Sequence, residues 1–205
     1  MRAIVIAVLL APALASATPA QTLADVQASY AKVQHLQGSF TQKFANATFG
    51  TESKHRGMLY LERPDKMRWD YSQPDHKGKS IIFDSKTLWV VEPENLQIYE
   101  HVTIDPTLPA AISFLNGGAK LSTDFDVSSP KPDTLVLVPK QANVQIKKLT
   151  FVIDPKTKRV VKSIVVNHND DTNMFEFHVV EKQADAKLFT FSPKRVPTYK
   201  VITVK

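Results

Sequence analysis

The chain has 205 residues, 43% of them hydrophobic, with a formal charge of +6 and no cysteine. This length suits one domain with a sizeable core, and without cysteine no disulfide can stabilise that core. The modest positive charge is spread along the chain. It fits a solubilising surface or an attraction to anionic lipid or an acidic partner.

The first seventeen residues have the pattern of a secretory signal peptide. Met1 and Arg2 give a positive start, residues 3–14 are an apolar run interrupted by Pro12, and residues 15–17 form an Ala-Ser-Ala cleavage site. The run is too short to span a bilayer, and no cysteine is present to carry a lipid anchor. We therefore expect a signal peptide at 1–17 and a single exported domain at 18–205, soluble in the periplasm, monomeric and without a nucleic-acid partner.

One helix is predicted at the start of the exported domain. Apolar residues recur at spacings of three and four from Leu23 to Leu36, which is typical of one helix face. Thr22 and Asp25 resemble a capping box, and Gly38 is placed to end the helix. The pattern predicts an amphipathic helix over 22–37.

Strand signals dominate the rest of the chain. Apolar and polar residues alternate, and turn sequences such as Asp84-Ser85-Lys86 separate the alternating runs. Strands are predicted at 39–44, 54–62, 66–71, 80–83, 87–91, 96–101, 148–153, 160–167, 174–181 and 188–191, with a further one near 201–204. This spacing predicts one large antiparallel sheet curled into a barrel or half-barrel.

An apolar insertion interrupts the strand pattern between 105 and 118. Pro109 fits the first turn of a short helix, and Gly117 and Gly118 fit its end or a hinge. The apolar residues of this helix are Leu108, Ile112, Phe114 and Leu115. They form either a plug that fills one end of the barrel or a movable cover over a cavity.

The residues give no pattern of a catalytic or metal site. The six histidines are scattered and match no zinc spacing, and the chain has no nucleophile elbow or phosphate-binding glycine loop. His168, Asp170 and Asp171 lie close in sequence, but in a predicted turn, where polar residues are common. We expect no metal, no cofactor and no enzyme activity.

Several motifs in order resemble the outer-membrane lipoprotein carrier protein (LolA) family over essentially the whole exported domain. The central one is residues 57–71, preceded by residues 38–44 and followed by residues 84–89. Three further segments match the family pattern: the glycine pair that ends the insertion, residues 124–127, and residues 189–193. Two positions depart from the family pattern. Ser85 stands where glycine is common, and Met67 stands where an aromatic residue can occur at the mouth of the cavity.

The resemblance implies an incomplete, half-open antiparallel β-barrel covered by short lid helices. Its apolar cavity would take the acyl chains of lipoproteins. The carrier would receive them from an inner-membrane ABC-type release complex and deliver them to an outer-membrane lipoprotein receptor across the periplasm.

The resemblance also assigns roles to particular residues. Arg63 matches the arginine that holds the lid closed, and its strand alternation places it on the face of Leu59 and Leu61; the alternative is an arginine at a strand end that points to solvent. The insertion residues Leu108, Ile112, Phe114 and Leu115 would fill the closed cavity, with Gly117 and Gly118 as the hinge. The candidates for the acyl cavity are Leu59, Leu61, Met67, Trp69, Trp89, Phe151, Ile153, Phe175 and Phe177.

Other functions fit parts of the pattern. A periplasmic binder or sensor of another amphiphile, such as a glycolipid or a free lipid, could use the same fold. An exported hydrolase would need a cluster of histidines or carboxylates in one cleft. An outer-membrane barrel is disfavoured, because the strands are short and lack a continuous lipid-facing band.

Overall fold

The structure is a computed structural model, and it describes residues 18–73, 78–101, 121–141 and 146–204. The predicted signal peptide and the predicted lid and hinge residues Leu108, Ile112, Phe114, Leu115, Gly117 and Gly118 lie outside the described residues. None of the helices within the described ranges is long and apolar enough to cross a membrane.

Helix α1 spans Pro19–Ala31 and begins earlier than its sequence pattern predicts. Thr18 is the N-cap, and its hydroxyl accepts a hydrogen bond from the backbone N–H of Gln21 at 3.2 Å. The helix ends before Leu36, which is buried but already belongs to the first strand. The predicted extent of 22–37 was therefore wrong at both ends, and Gly38 lies inside a strand rather than at a helix end.

Twelve strands follow α1 within the described residues. Their bounds are β1 His35–Asn46, β2 Thr51–Glu62, β3 Lys66–Gln73, β4 Ser80–Asp84, β5 Leu88–Glu92, β6 Gln97–His101, β7 Phe125–Lys131, β8 Thr134–Pro139, β9 Lys148–Ile153, β10 Val160–Val166, β11 Thr172–Val180 and β12 Lys200–Val204. Short helical turns lie at Pro93–Asn95, Ala186–Phe189 and Pro193–Arg195, and a four-residue helix, α2, spans Leu121–Asp124.

All twelve strands form one sheet in the order β12-β6-β5-β4-β3-β2-β1-β11-β10-β9-β8-β7. Neighbours are antiparallel except β12, which runs parallel to β6. Pairing of β1 with β11 joins the two halves of the chain. The sheet is not closed, and β7 and β12 are its edge strands. The predicted mainly β, half-open architecture is confirmed.

The two faces of the sheet bury different apolar clusters. We call the face that carries Trp69, against which α1 packs, the inner face, and the opposite one the outer face. The outer-face cluster is small: Ile82, Trp89, Val91 and Ile98 are covered by Phe191, Val196 and Tyr199. The strand predicted at 188–191 is instead a helical turn, Ala186–Phe189. Its Leu188 carbonyl accepts a hydrogen bond from Arg68 at 3.0 Å, so the C-terminal segment crosses the outer face.

Candidate functional site

The inner face carries one continuous apolar surface, which we call the inner-face cluster. It joins Leu23, Val26 and Tyr30 of α1 to side chains from most strands of the sheet. Every predicted acyl-cavity residue except Trp89 belongs to it: Leu59, Leu61, Met67, Trp69, Phe151, Ile153, Phe175 and Phe177. Residues far apart in sequence thus meet on one surface, because alternate residues of each strand point to the same side.

Trp89 lies on the opposite face from Trp69. In the register of the sheet, Trp69 pairs with Ile81, and Trp89 pairs with Ile82. Paired residues share a face and successive residues alternate, so the two tryptophans point to opposite sides. Trp89 packs against Phe191 with ring centroids 5.4 Å apart. The expectation that Trp89 lines the same cavity as Trp69 is therefore corrected.

Aromatic rings form the centre of the inner-face cluster. The Phe40 ring lies 4.8 Å from Trp69 and 5.1 Å from Tyr71, measured between ring centroids. Trp69 is also 5.4 Å from Phe175 and 6.0 Å from Phe177. These separations are typical of favourable aromatic pairs. Phe40 and Tyr71 are not among the residues that the sequence predicts for the cavity, although Tyr71 follows Trp69 at the two-residue spacing of one strand face.

Gly57 makes room for this aromatic centre. A Cβ atom at Gly57 would overlap the backbone oxygen of Asp70 and would lie 2.8 Å from the Phe40 ring. The register between β2 and β3 shifts between Arg56 and Gly57, which marks a bulge. Glycine at this position therefore lets the Phe40 ring lie directly over β2.

Two buried polar atoms interrupt the apolar lining. The indole Nε1 of Trp69 and the hydroxyl of Ser163 have no hydrogen-bond partner within the described parts of the chain. Ser163 is fully buried, and it is paired in register with Phe151 and Phe175. Buried polar groups usually have partners, so these two atoms are exceptions on the inner face.

Arg63 follows β2 directly and lies half-buried near the end of α1. Its backbone N–H donates to the carbonyl of Gln34 at 2.9 Å. The nearby Tyr30 hydroxyl accepts the N–H of Val160 at 3.2 Å. Burial raises the pKa of Tyr30 to about 12, while the hydrogen bond from Val160 and the charges of Arg159 and Arg63 act in the opposite direction. Arg63 thus places a positive charge at the α1 end of the inner-face cluster.

The carboxylates of the polar turn at 168–171, a possible metal site in the sequence, have structural partners. Asp170 pairs with Lys147 at 2.6 Å, and Asp171 accepts the N–H of Ala47 at 2.9 Å. In the part of the chain that the structure describes, no group of three His, Asp or Glu side chains could hold a metal ion. These carboxylates stabilise turns, as their sequence context predicted.

The candidate site is thus one face of an open, almost entirely antiparallel sheet, continuously apolar, lined by aromatic rings and packed against one helix. The model of the family "Outer membrane lipoprotein carrier protein LolA" matches residues 31–192. The chain therefore belongs to the outer-membrane lipoprotein carrier protein family, as its motifs predicted. At the level of this family, the protein is a lipoprotein-binding carrier, and carriers of this family are not enzymes.

Individual relatives support this assignment over most of the chain. An outer-membrane lipoprotein carrier protein of Pectobacterium carotovorum is 28% identical over 196 residues, which is 93% of each chain. One of Alkalilimnicola ehrlichii is 30% identical over 129 residues, so that match spans 62% of this chain and 59% of that protein. The crystal structure of an uncharacterized conserved protein from Thermus thermophilus shares the fold, with a TM-score of 0.55 at 10% identity, covering 90% of this chain and 98% of that one.

Proposed function

We propose that this protein is a periplasmic carrier that holds the acyl chains of lipoproteins against its inner-face cluster. It receives them from an inner-membrane ABC-type release complex and delivers them to an outer-membrane receptor. The observation that supports this role is the continuous apolar inner face, which collects side chains from both halves of the chain around Trp69. The signal peptide at 1–17 would direct the single domain at 18–205 to that compartment.

The energetics of lipid transfer explain why such a surface is needed. Moving an acyl chain out of water gains roughly 0.8 kcal/mol for each CH₂ group, so about a dozen methylenes gain near 10 kcal/mol. The inner-face side chains are already buried, Trp69 and Leu59 among them. A ligand must therefore replace something that covers them. We assign that cover to the insertion, with Leu108, Ile112, Phe114 and Leu115 leaving the inner face and Gly117 and Gly118 as the hinge.

Arg63 is the residue that we propose to hold this cover closed. A partly buried guanidinium must use its donors, and carbonyls at the end of a helix are suitable acceptors. Its position near Tyr30 keeps the charge at the edge of the apolar surface. Closed and open forms should differ by only a few kcal/mol, because a larger difference would prevent lipid from replacing the cover.

A transfer assay with purified components tests this gate. The Arg63→Leu variant should accept a lipoprotein from the inner-membrane complex and release it poorly to the receptor, because the closed form has lost its hydrogen bonds. Arg56→Leu is the matched control, since Arg56 lies in β2, the strand that Arg63 follows, and points to the outer face. Normal transfer by Arg63→Leu would remove the role assigned to Arg63.

The nature of the bound molecule separates the carrier from a binder of another amphiphile. The protein purified from its native periplasm should carry lipoproteins, which mass spectrometry of the intact complex would identify. Glycolipid or free lipid in place of lipoprotein would instead favour a binder or sensor that uses the same surface.

A further inference from the structure

The inner face changes from apolar to polar along its strands. On β2 the inward residues are Leu61 and Leu59 at the α1 end and His55 and Ser53 at the other end. The neighbouring strands show the same change in the same direction: Phe40 to Gln42, Trp69 to Tyr71, Phe175 to Asn173, Ile81 to Lys79 and Val90 to Glu92. The surface thus has the polarity of an amphiphile, with one apolar end and one polar end.

A cavity of about 200 Å³ lies at the polar end, and we call it the polar pocket. Its lining residues are Gln42, Phe44, Ser53, His55, Tyr71 and Lys79. Most of them offer hydrogen-bonding groups. The Gln42 side chain donates to Asn173 at 2.9 Å, and the His55 ring nitrogen lies 3.1 Å from the hydroxyl of Ser53. Tyr71 connects the pocket to the aromatic centre, because its ring lies 6.3 Å from His55 and 5.1 Å from Phe40.

The charges at this pocket are balanced. The ammonium group of Lys79 lies 2.8 Å from a carboxylate oxygen of Glu92, and both side chains are largely buried. Burial raises the pKa of Tyr71 well above its ordinary value, so its phenol stays protonated. The described lining therefore offers donors and acceptors, and the charge of its lysine is balanced by Glu92.

We propose that the polar pocket binds the uncharged head of an acylated ligand, namely the glyceryl ester and amide groups that join acyl chains to a lipoprotein. This inference rests on the proposed function and adds selectivity to it. The chains lie along the inner-face cluster, and the head reaches Gln42, His55 and Tyr71. A phospholipid with the same chains brings a phosphate, which must be desolvated where Lys79, the lysine of the described lining, is already paired, so it binds less well.

Three probes that share one chain length separate the head from the chain. They are monolauroylglycerol, the anionic lauroyl lysophosphatidate and dodecane, titrated at pH 8 into the exported form of the protein. The wild type should bind all three through the chain. Gln42→Leu and His55→Phe should each weaken monolauroylglycerol binding about three- to tenfold, the effect of one or two lost hydrogen bonds, with dodecane binding unchanged.

The control is Gln37→Leu, which removes the same side chain from the outer face of the same strand. It should change neither affinity. Equal binding of monolauroylglycerol by the wild type and both pocket variants would overturn the headgroup site but leave the carrier function standing. Absence of binding of all three probes to the wild type would overturn the carrier function and this inference together.

The Glu92→Gln variant tests the charge balance separately, because it leaves the lining residues Gln42 and His55 unchanged. Glutamine keeps an oxygen that can accept the hydrogen bond from Asn95, but it leaves Lys79 unpaired. The affinity for lauroyl lysophosphatidate should rise about fivefold, while that for monolauroylglycerol should change less than about twofold. An unchanged ratio of the two affinities would show that Lys79 does not face the head of the ligand.

Discussion

Replacement of Gly57 by alanine should strongly destabilise the protein. The added Cβ would overlap the backbone oxygen of Asp70 and lie 2.8 Å from the Phe40 ring. The oxygen belongs to the neighbouring strand and cannot move without disturbing the β2–β3 pairing. Movement of the ring would weaken its pairs with Trp69 and Tyr71, at 4.8 and 5.1 Å.

The size of this effect follows from its parts. Overpacking of a filled core costs about 1–3 kcal/mol. Weakening two aromatic pairs costs about 0.5–1.5 kcal/mol for each. We therefore expect Gly57→Ala to lower the free energy of unfolding by about 3 kcal/mol.

Gly50→Ala is the matched control for this measurement. Gly50 has a φ of +62° and nothing within 4 Å of an added Cβ. Alanine there should therefore lower the free energy of unfolding by only about 1 kcal/mol, the cost of its left-handed backbone conformation. Urea unfolding followed by tryptophan fluorescence would compare both variants with the wild type. If Gly57→Ala were no less stable than Gly50→Ala, the close approach of Phe40 to β2 would be refuted.

Three further changes probe the turns, the lining and the buried tyrosine. Ser85 has a φ of +84°, so Ser85→Gly should raise the free energy of unfolding by about 1 kcal/mol in thermal denaturation, and a lower melting temperature would contradict this. Ser163→Ala removes a buried hydroxyl without a described partner and should stabilise the unliganded protein by about 1 kcal/mol in urea; a loss of that size would show that the hydroxyl is paired. Tyr30 has a pKa raised from 10.0 to about 12, so the unfolded chain loses this proton first as pH rises, and stability should fall by about 1.4 kcal/mol for each pH unit in that window. Tyr30→Phe should be less stable than the wild type at pH 8 but should lose less stability between pH 10 and 12, and parallel curves would contradict the assignment.

Much of the fold could be predicted from the alternation of apolar and polar residues within the strands. In β2 and β3, alternate apolar residues predicted that Leu59 and Leu61 share one face and that Met67 and Trp69 share one face, and the inner-face cluster contains all four. Alternation predicts which residues of one strand share a face. It does not say which face of one strand joins which face of the next, because that depends on register. This is why Trp89 could not be assigned to the outer face from the sequence.

The wrong boundaries have a similar cause. Val33 and Leu36 continue the three-and-four spacing of α1, but Val33 is buried in the connection between α1 and β1, and Leu36 is buried within β1. Over so few residues, the three-and-four spacing of a helix face and the two-residue spacing of a strand face fit the same apolar positions. Near the C terminus, alternation at 188–191 predicted a strand, yet Ala186–Phe189 forms a helical turn next to the outer face, where tertiary contacts override local preference.

The polar pocket shows what spacing alone does not reveal. Gln42, His55 and Tyr71 lie on three strands and meet only through the register of β1, β2 and β3. Each residue is ordinary in its own strand pattern. The change from apolar to polar inward residues, which runs in the same direction along neighbouring strands, becomes visible only when the strands are aligned in register.

The two tryptophans on opposite faces allow the most direct test of lipid binding at the inner face. Trp89→Phe leaves Trp69 as the single tryptophan on the inner face, and Trp69→Phe leaves Trp89 on the outer face. A lipopeptide with brominated acyl chains, which quench indole fluorescence on contact, should quench Trp69 and leave Trp89 unchanged. Quenching of Trp89 alone, or of neither tryptophan by a bound ligand, would contradict an acyl site on the inner face.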